Sequence, residues 1–311
     1  AVAEVQAGPS GSWCACTWRQ LEQDMRAASR QGKDPSAWRV KLRAPVQQLA
    51  EWWRLRLEER VPFQYLISTA HWSKFILSVG PGVLIPRPET EIFEEFTEAA
   101  IAQQPRLAHL PWCDLGTGSG AIAMAAASVL SKHNKEANIL AVDKSPVAAA
   151  YARANIADAG LSKHVTVLEG SWYDPVCSHL LQSSQHSAAT GATEQHPGRR
   201  LGGILSNPPY IPQAIMEAGL QAEVGKHEPW SALNGGPGPG LDSLSVICAG
   251  AVDLLAHDGF LALETEGKEQ AHQVGQHLEG LRNKDGSPAF RNVSVVADCY
   301  GKHRFVTASR C

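Results

Sequence analysis

A glycine-rich run has the composition of a ligand-binding turn. It reads Asp114-Leu115-Gly116-Thr117-Gly118-Ser119-Gly120 and separates an apolar stretch from an alanine-rich one. Glycines let the backbone approach a ligand closely, and a helix that starts after the run presents free N–H groups. The spacing is Gly-x-Gly-x-Gly, whereas dinucleotide-binding turns follow Gly-x-Gly-x-x-Gly. We therefore predict a ligand-binding turn, with a plain tight turn as the alternative.

A carboxylate, Asp143, ends the next apolar stretch. It follows the glycine run by roughly 20 residues, which is where an open α/β sheet places the acid that binds a ribose diol. The alternative is a cap for the following helix, although Ser145 and Pro146 could begin that helix without it. Together, the glycine run and Asp143 predict a cofactor that carries a nucleoside. They leave open whether it is a nicotinamide dinucleotide or S-adenosylmethionine.

A third motif, Asn207-Pro208-Pro209-Tyr210, follows another apolar run and carries hydrogen-bond acceptors. Its prolines stiffen the backbone, so that the Asn207 side chain and the Pro208 carbonyl can accept from one planar –NH2 group. Tyr210 offers a ring on which a planar amide or base can stack. When both N–H groups donate hydrogen bonds to such acceptors, the nitrogen becomes more nucleophilic and is oriented toward a sulfonium methyl group. The motif therefore favours S-adenosylmethionine and methylation of a nitrogen.

The three motifs need a scaffold that brings them together, and the hydrophobic pattern beyond residue 110 predicts an α/β fold. Short apolar runs alternate with helical patterns, which is typical of a mainly parallel sheet covered by helices. The predicted strands are Pro111–Leu115, Asn138–Val142, Val165–Leu168, Gly203–Leu205, Phe260–Glu264, Asn292–Ala297 and Arg304–Ala308, and the predicted helices include Ala121–Ser131 and Val147–Ala159.

The first 67 residues differ in composition from the rest. Residues 1–12 are rich in Ala, Gly and Ser, do not begin with Met, and are expected to be disordered or the remnant of a targeting segment. We accordingly expect a plastid or mitochondrial location, with the cytoplasm as the alternative. Residues 13–67 show helical spacing over Trp18–Met25 and Val46–Leu55. They predict a small helical domain whose Trp-rich stripe packs in its core, with a groove for a protein partner as the alternative.

Two further segments interrupt these patterns. Residues 68–86 contain β-type runs, His71–Val79 and Val83–Ile85, on either side of a Gly-Pro-Gly turn, and predict a β-hairpin that links the two domains. Residues 87–311 would then form the second domain. Within it, residues 177–200 are rich in Ser, Gln, His, Ala and Thr without periodicity, and predict a flexible insertion.

Charge and hydropathy disfavour two classes of partner. Lys and Arg number 28 and Asp and Glu 31, which gives a net charge of −3 and no sign of the basic surface that coats nucleic acid. The longest apolar stretch, Ala121–Leu130, is about ten residues shorter than a membrane span. We therefore expect neither stable nucleic-acid binding nor a membrane partner.

Cysteine and histidine usage indicates no metal site. The seven cysteines are scattered without a Cys-x-x-Cys pair, so neither a disulfide framework nor a structural zinc site is expected. Cys177, His179, His186 and His196 lie close in sequence, but their spacing does not match a metal site. No metal cofactor is predicted.

Further short motifs accompany these three in a defined order. They are Pro62-Phe63-Gln64-Tyr65-Leu66, Val83-Leu84-Ile85-Pro86-Arg87-Pro88-Glu89-Thr90-Glu91, Ile211-Pro212, His227-Glu228-Pro229, Gly235-Gly236 and Gly240-Leu241-Asp242. With them the chain resembles the HemK-type (PrmC-type) peptide-chain-release-factor glutamine methyltransferases from about Val61 to the C-terminus. Ser171 stands where many members of that family have an acid.

The resemblance implies a fold. It is a Rossmann-like S-adenosylmethionine-dependent methyltransferase domain with a mostly parallel sheet and an antiparallel last strand, a small N-terminal helical domain and a linking hairpin. The activity implied is methyl transfer from S-adenosylmethionine to the side-chain amide nitrogen (N5) of the glutamine in the Gly-Gly-Gln motif of class I release factors. The helical domain would recognise the release factor, and the enzyme would act as a monomer.

The resemblance also implies roles for individual residues. They are Asn207, Pro208 and Tyr210 in catalysis; Asp114, Gly116, Thr117, Gly118, Ser119, Gly120, Asp143, Trp172 and Asn207 in cofactor binding; and Asn207, Pro208, Pro209, Tyr210, Arg87 and Glu89 in substrate binding.

Two other functions are compatible with parts of the pattern. A DNA or RNA adenine N6-methyltransferase would apply the same acceptors to a flipped base, although the net charge and the lack of a basic segment count against it. A nicotinamide-dependent or non-catalytic nucleotide-binding protein would fit a glycine-rich turn. Such a protein would have no need for Asn207.

Overall fold

The chain divides into two units, Ala1–Val61 and Pro62–Cys311. The computed structural model describes residues 3–7, 14–16, 23, 26–32, 38–42, 44–188 and 200–311. Within these ranges, no helix combines the length and the apolar surface that crossing a bilayer requires.

The first unit contains a small antiparallel sheet and a helix. Strand β1 (Ala3–Ala7) lies between β2 (Cys14–Cys16) and β3 (Trp38–Leu42) and pairs with both. Helix α1 (Val46–Arg54) continues into a π turn over Leu55–Glu59. No side chain of α1 is buried, so its Trp-containing stripe does not form the core that its spacing predicts.

The strands correct two expectations for this unit. Residues 3–7 are not disordered, because their backbone pairs with two neighbouring strands. Residues 13–67 are not wholly helical, because Trp38–Leu42 alternates apolar and polar residues with the period of a strand. The predicted helix over Trp18–Met25 lies outside the described residues apart from Gln23.

A β-hairpin stands near the start of the second unit. Strand β4 (Thr69–Trp72) pairs antiparallel with β5 (Phe75–Ser78), and the turn falls at Ser73-Lys74. The expected strand over His71–Val79 is wrong because this exposed polar pair, with Ser73 at φ 48°, divides it in two. Val83–Ile85 is not a strand but leads from the hairpin toward the α/β domain.

The α/β domain is built on a seven-stranded sheet, which confirms the predicted fold class. Its strands are β6 (Trp112–Leu115), β7 (Ile139–Asp143), β8 (Val165–Glu169), β9 (Leu201–Ser206), β10 (Leu255–Glu264), β11 (Phe290–Ala297) and β12 (His303–Arg310). They are arranged in the order β11-β12-β10-β9-β6-β7-β8. The pairs from β10 to β8 are parallel, whereas β12 runs antiparallel to β10 and β11.

Helices connect the strands and cover the sheet. They are α2 (Phe63–Leu66), α3 (Ile92–Gln103), α4 (Ala121–His133), α5 (Pro146–Asp158), α6 (Asp174–Ala188), α7 (Gln213–Ala218), α8 (Ala222–His227), α9 (Asp242–Leu254) and α10 (Lys268–Gly280). Strands β6 and β9 are buried along their whole length, as expected for parallel strands covered on both faces.

Helix α6 covers the first part of residues 177–200, and the expectation of a flexible insertion stays a prediction for the rest. Val176 and Leu180, one helical turn apart, are both buried, so this helix docks on the domain despite its polar composition. Residues 189–199 lie outside the described residues, and the chain resumes at Arg200.

A buried amide, Asn155 on α5, fastens the hairpin to the glycine run. Its Oδ1 accepts from Ser78 N at 2.7 Å, and its Nδ2 donates to Ser78 O at 3.0 Å and to Ser119 O at 2.9 Å. Since Asn155 is 2% exposed, water cannot replace these bonds without opening the structure.

Replacing this amide should destabilise the domain more than a surface change on the same helix. Asn155→Ala leaves buried backbone groups of Ser78 and Ser119 without partners, and should lower the free energy of unfolding by more than about 2 kcal/mol. Arg153→Ala removes an exposed ion pair with Glu169 and should cost less than about 1 kcal/mol. Urea unfolding followed by circular dichroism compares the two variants. Equal losses would contradict the role of Asn155.

Candidate active site

The glycine run forms a tight turn at the carboxyl end of β6. Gly116, Gly118 and Gly120 have φ values of 75°, 56° and 87°, a region that favours glycine. The turn is held to the neighbouring strand because the N–H groups of Gly116 and Thr117 donate to Val142 O at 2.9 and 2.8 Å. The sequence therefore folds here into a loop whose backbone is open toward the space above the sheet.

Asp114 lies beneath this turn and is completely buried. Its Oδ2 accepts from Thr117 Oγ1 at 2.6 Å and from Ala123 N at 3.0 Å, and its Oδ1 has no hydrogen-bond partner among the described residues. Burial raises the pKa of Asp114 to about 7, against the two hydrogen bonds, which lower it. Asp114 supports the turn from below.

Asp143, at the end of β7, joins the turn to the next helix. Its Oδ2 accepts from Gly118 N at 2.9 Å and its Oδ1 from Ser145 N at 2.8 Å. Burial raises the pKa of Asp143, whereas these backbone bonds lower it. Ser145 is itself the cap of α5, because its side chain accepts from Ala148 N. Each oxygen of Asp143 keeps lone pairs for a further donor.

An open cavity lies above the turn, with about 940 Å³ of space that includes the part open to solvent. Trp172, which follows β8 and has a φ of 44°, forms part of its wall. Of the predicted site residues, the cavity is lined by Gly116, Thr117, Gly118, Ser119, Asp143, Trp172, Asn207 and Pro209. The two predicted cofactor residues that do not line it are Asp114 and Gly120.

A second cavity of about 750 Å³ adjoins the first. The predicted residues that line it are Arg87, Glu89, Asn207, Pro208 and Tyr210. Both cavities are lined by Leu84, Asn207 and Ala232. Asn207 therefore stands where the two spaces meet.

Behind Asn207, a chain of hydrogen bonds leads to a buried carboxylate. Asn207 Nδ2 donates to Thr90 Oγ1 at 3.4 Å, and Thr90 Oγ1 donates to Glu264 Oε2 at 2.7 Å. Tyr210 Oη donates to the other oxygen, Glu264 Oε1, at 3.1 Å. Glu264 ends β10 and is fully buried. The Asn-Pro-Pro-Tyr motif is thus connected to Glu264 at both of its ends.

Comparisons with known proteins agree with this site. No family model matches the chain. It is similar to three bacterial proteins named release factor glutamine methyltransferase. That of Thermosynechococcus vestitus is 37% identical over 86% of this chain and 81% of the relative. That of Gloeobacter violaceus is 43% identical over 72% and 68%, and that of Mycolicibacterium smegmatis 38% identical over 81% and 76%.

The chain belongs to the release factor glutamine methyltransferase family. Membership confirms the predicted methyltransferase activity and S-adenosylmethionine as the methyl donor. Among solved structures, the catalytic domain of hMettl16 in complex with a MAT2A 3'UTR hairpin has a TM-score of 0.50 and 15% identity. It covers 89% of this chain and 85% of that one, and shows that the fold is shared.

In this methyltransferase, the charged residues of the second cavity are paired within the chain. Arg87 Nη2 lies 2.5 Å from Glu228 Oε1, and the other oxygen of Glu228 accepts from Ile85 N at 3.2 Å. Glu89 Oε1 accepts from Arg304 Nη1 at 3.0 Å. The predicted substrate-binding residues Arg87 and Glu89 thus form part of the wall of the second cavity, and the charge of each is balanced by its ion-pair partner.

The backbone of the Asn-Pro-Pro-Tyr motif is also held by Gln270, at the start of α10. Its Nε2 donates to Tyr210 O at 2.8 Å and to Pro239 O at 2.7 Å, and its Oε1 accepts from Glu266 N at 2.8 Å. The side chain is buried. Gln270 therefore fixes the backbone just after the two prolines.

Sequence reasoning missed several of these residues as members of the site: Thr90, Asn155, Glu228, Glu264, Gln270 and Arg304. A signal was present for Glu264, because a carboxylate that ends an apolar strand is the same pattern that identified Asp143. Thr90 and Glu228 stand inside two of the short motifs noted in the sequence, but their roles depend on partners far away along the chain. Asn155, Gln270 and Arg304 gave no signal, because their partners are equally remote.

Asp143 should matter first for binding of S-adenosylmethionine. Asp143→Ala removes the only carboxylate that lines the first cavity among the described residues and releases Gly118 N, so we expect at least a tenfold rise in the dissociation constant for S-adenosylmethionine. Ser145→Ala removes the helix cap but leaves Asp143 in place, and should change this constant less than about threefold. Isothermal titration calorimetry measures both. A similar affinity in the two variants would contradict this role.

Proposed function

We propose that the chain methylates the side-chain amide nitrogen (N5) of the glutamine in the Gly-Gly-Gln motif of class I release factors. The observation that carries the proposal is the position of Asn207 at the junction of the two cavities. The relatives are named for a glutamine of release factors, and the adjoining cavities provide one space for a methyl donor and one for an acceptor side chain.

The first cavity fits S-adenosylmethionine in its chemistry. A Cβ at Gly116 would stand 3.9 Å from both Trp172 and the carbonyl of Asn207, so only glycine leaves the space between them open. Asp143 would accept from the ribose hydroxyls, Trp172 would lie against the adenine, and Gly116–Gly120 would surround the methionine part. When bound, S-adenosylmethionine supplies an electrophilic methyl group.

The second cavity suits a neutral planar acceptor. Its charged groups, Arg87 and Glu89, are paired with Glu228 and Arg304, and therefore offer no free charge to an incoming side chain. The Asn207 side chain and the Pro208 carbonyl would accept one hydrogen bond each from the two N–H groups of an amide. This raises electron density on the nitrogen and orients it toward the first cavity. Tyr210 would flank the amide plane.

We extend the proposal to domains, assembly and location. Residues 13–67 would recognise the release factor, and residues 87–311 would carry the chemistry. The enzyme would act as a monomer. A plastid or mitochondrial location stays a prediction. Light scattering of the purified chain and fractionation of the source cells test these two statements.

The amide of Asn207 should be required for turnover rather than for cofactor binding. Asn207→Ala removes an acceptor from the transferring nitrogen and should lower kcat roughly 100-fold or more. Asn134→Ala, directly after the C-terminal end of α4, is the control and should retain wild-type kcat. The assay uses a purified class I release factor, S-adenosylmethionine and mass spectrometry of the Gly-Gly-Gln peptide. Transfer to DNA or RNA with none to the release factor would overturn the proposal.

A further inference from the structure

Glu264 has no part in the methyl transfer as described above, yet it accepts a hydrogen bond directly from Tyr210 of the acceptor motif. It lies at the carboxyl end of β10, fully buried, and lines neither cavity. Its two oxygens accept one bond each, from Thr90 Oγ1 at 2.7 Å and from Tyr210 Oη at 3.1 Å. Thr90 lines the first cavity and Tyr210 lines the second, so the carboxylate can act through them on both sides of Asn207.

The direction of these bonds follows from the number of protons available. An ionised carboxylate only accepts, and a hydroxyl group has a single proton to give. Because Thr90 gives its proton to Glu264, its oxygen presents only lone pairs to Asn207. The Asn207 group that faces Thr90 at 3.4 Å must then be the –NH2 end of the amide, as the structure shows. The Oδ1 atom of Asn207 consequently points away from Thr90.

We propose that Thr90 and Glu264 are positioning residues that set the polarity of the Asn207 amide, so that Oδ1 rather than Nδ2 meets the acceptor nitrogen. The inference rests on the proposed methylation of a glutamine amide and deepens it. An Asn207 amide turned the other way would present a donor to a group that also donates. By holding the Tyr210 hydroxyl with its second oxygen, Glu264 fixes both ends of the motif at once.

The arrangement depends on the charge of Glu264. Burial raises the pKa of Glu264 to about 7, while the bonds from Thr90 and Tyr210 and the positive charge of Arg304 on β12 lower it and Glu89 raises it. Below that pH the carboxyl group is protonated and donates a hydrogen bond itself. If that proton goes to Thr90, the Thr90 hydroxyl turns toward Asn207 and the amide loses its fixed orientation. Activity should therefore fall as the pH drops through about 7.

The first experiment compares two substitutions of Thr90 with release factor as substrate. Thr90→Val keeps the shape of the side chain but removes the hydroxyl group, and should lower kcat about tenfold, the equivalent of one hydrogen bond of about 1.4 kcal/mol. Thr90→Ser restores the hydroxyl group and should recover most of the lost activity. A purely structural role of Thr90 would instead make Val the better replacement, because it preserves the packing.

The second experiment is the pH profile of kcat for wild type and Glu264→Gln, with folding checked by circular dichroism. The profile is measured at saturating S-adenosylmethionine, so that titration of Asp114 beneath the cofactor turn does not limit binding. The wild type should then show an acid limb that is absent from the variant, because Gln does not titrate. Full activity of Thr90→Val, or the same acid limb in Glu264→Gln, would overturn the inference while leaving the proposed function intact. No transfer to the release factor by the wild-type chain would overturn the proposed function and the inference with it.

Discussion

Ser206 on β9 stands opposite Leu263 on β10 in a parallel pair, and this register brings the next residues of the two strands, Asn207 and Glu264, to the same edge of the sheet. The pairing of Leu115 with Val142 likewise places the glycine turn beside Asp143. In parallel sheets the carboxyl ends of all strands meet at one edge. A slip of one residue in either pairing would send these side chains to opposite faces and dismantle the site.

Burial at this edge makes the polar groups depend on one another. Removing one partner of a buried pair leaves the other in a medium that solvates it poorly, at a cost of several kcal/mol. Glu228 is a member of such a pair through Arg87. Arg304 bonds Glu89 and also lies 2.8 Å from Asp298 as an ion pair without hydrogen-bond alignment. The charged side chains that line the second cavity, Arg87 and Glu89, are therefore both paired within the chain.

The fold could be predicted from the sequence, and so could those site residues that are recognisable from their immediate neighbours in the chain. The glycine run, Asp143 and Asn207 were found because each directly follows an apolar strand, and this edge is where side chains of neighbouring strands converge. The N-terminal strands were missed because helical spacing on either side of Trp38–Leu42 outweighed five alternating residues. The hairpin was misplaced because Gly-Pro-Gly is a stronger turn signal than Ser-Lys.

The remaining contacts of the site join residues that are far apart in the sequence. Thr90 meets Glu264 across 174 positions and Asn155 meets Ser78 across 77, and neither pairing follows from composition or periodicity. Such contacts exist only once α3, α5 and the sheet have packed together. They explain why the motif residues could be recognised in the sequence while the side chains that orient them could not.

Helix α6 belongs to the connection between two parallel strands of the sheet. Helix α6 follows β8 and precedes β9, and β8 and β9 run in the same direction within the sheet. The helix must therefore return the chain to the amino ends of the strands, opposite the edge that carries both cavities. Of the described part of this connection, only Gly170–Trp172 line the first cavity. The chemistry therefore constrains the start of the connection, and helix α6 serves the packing of the sheet.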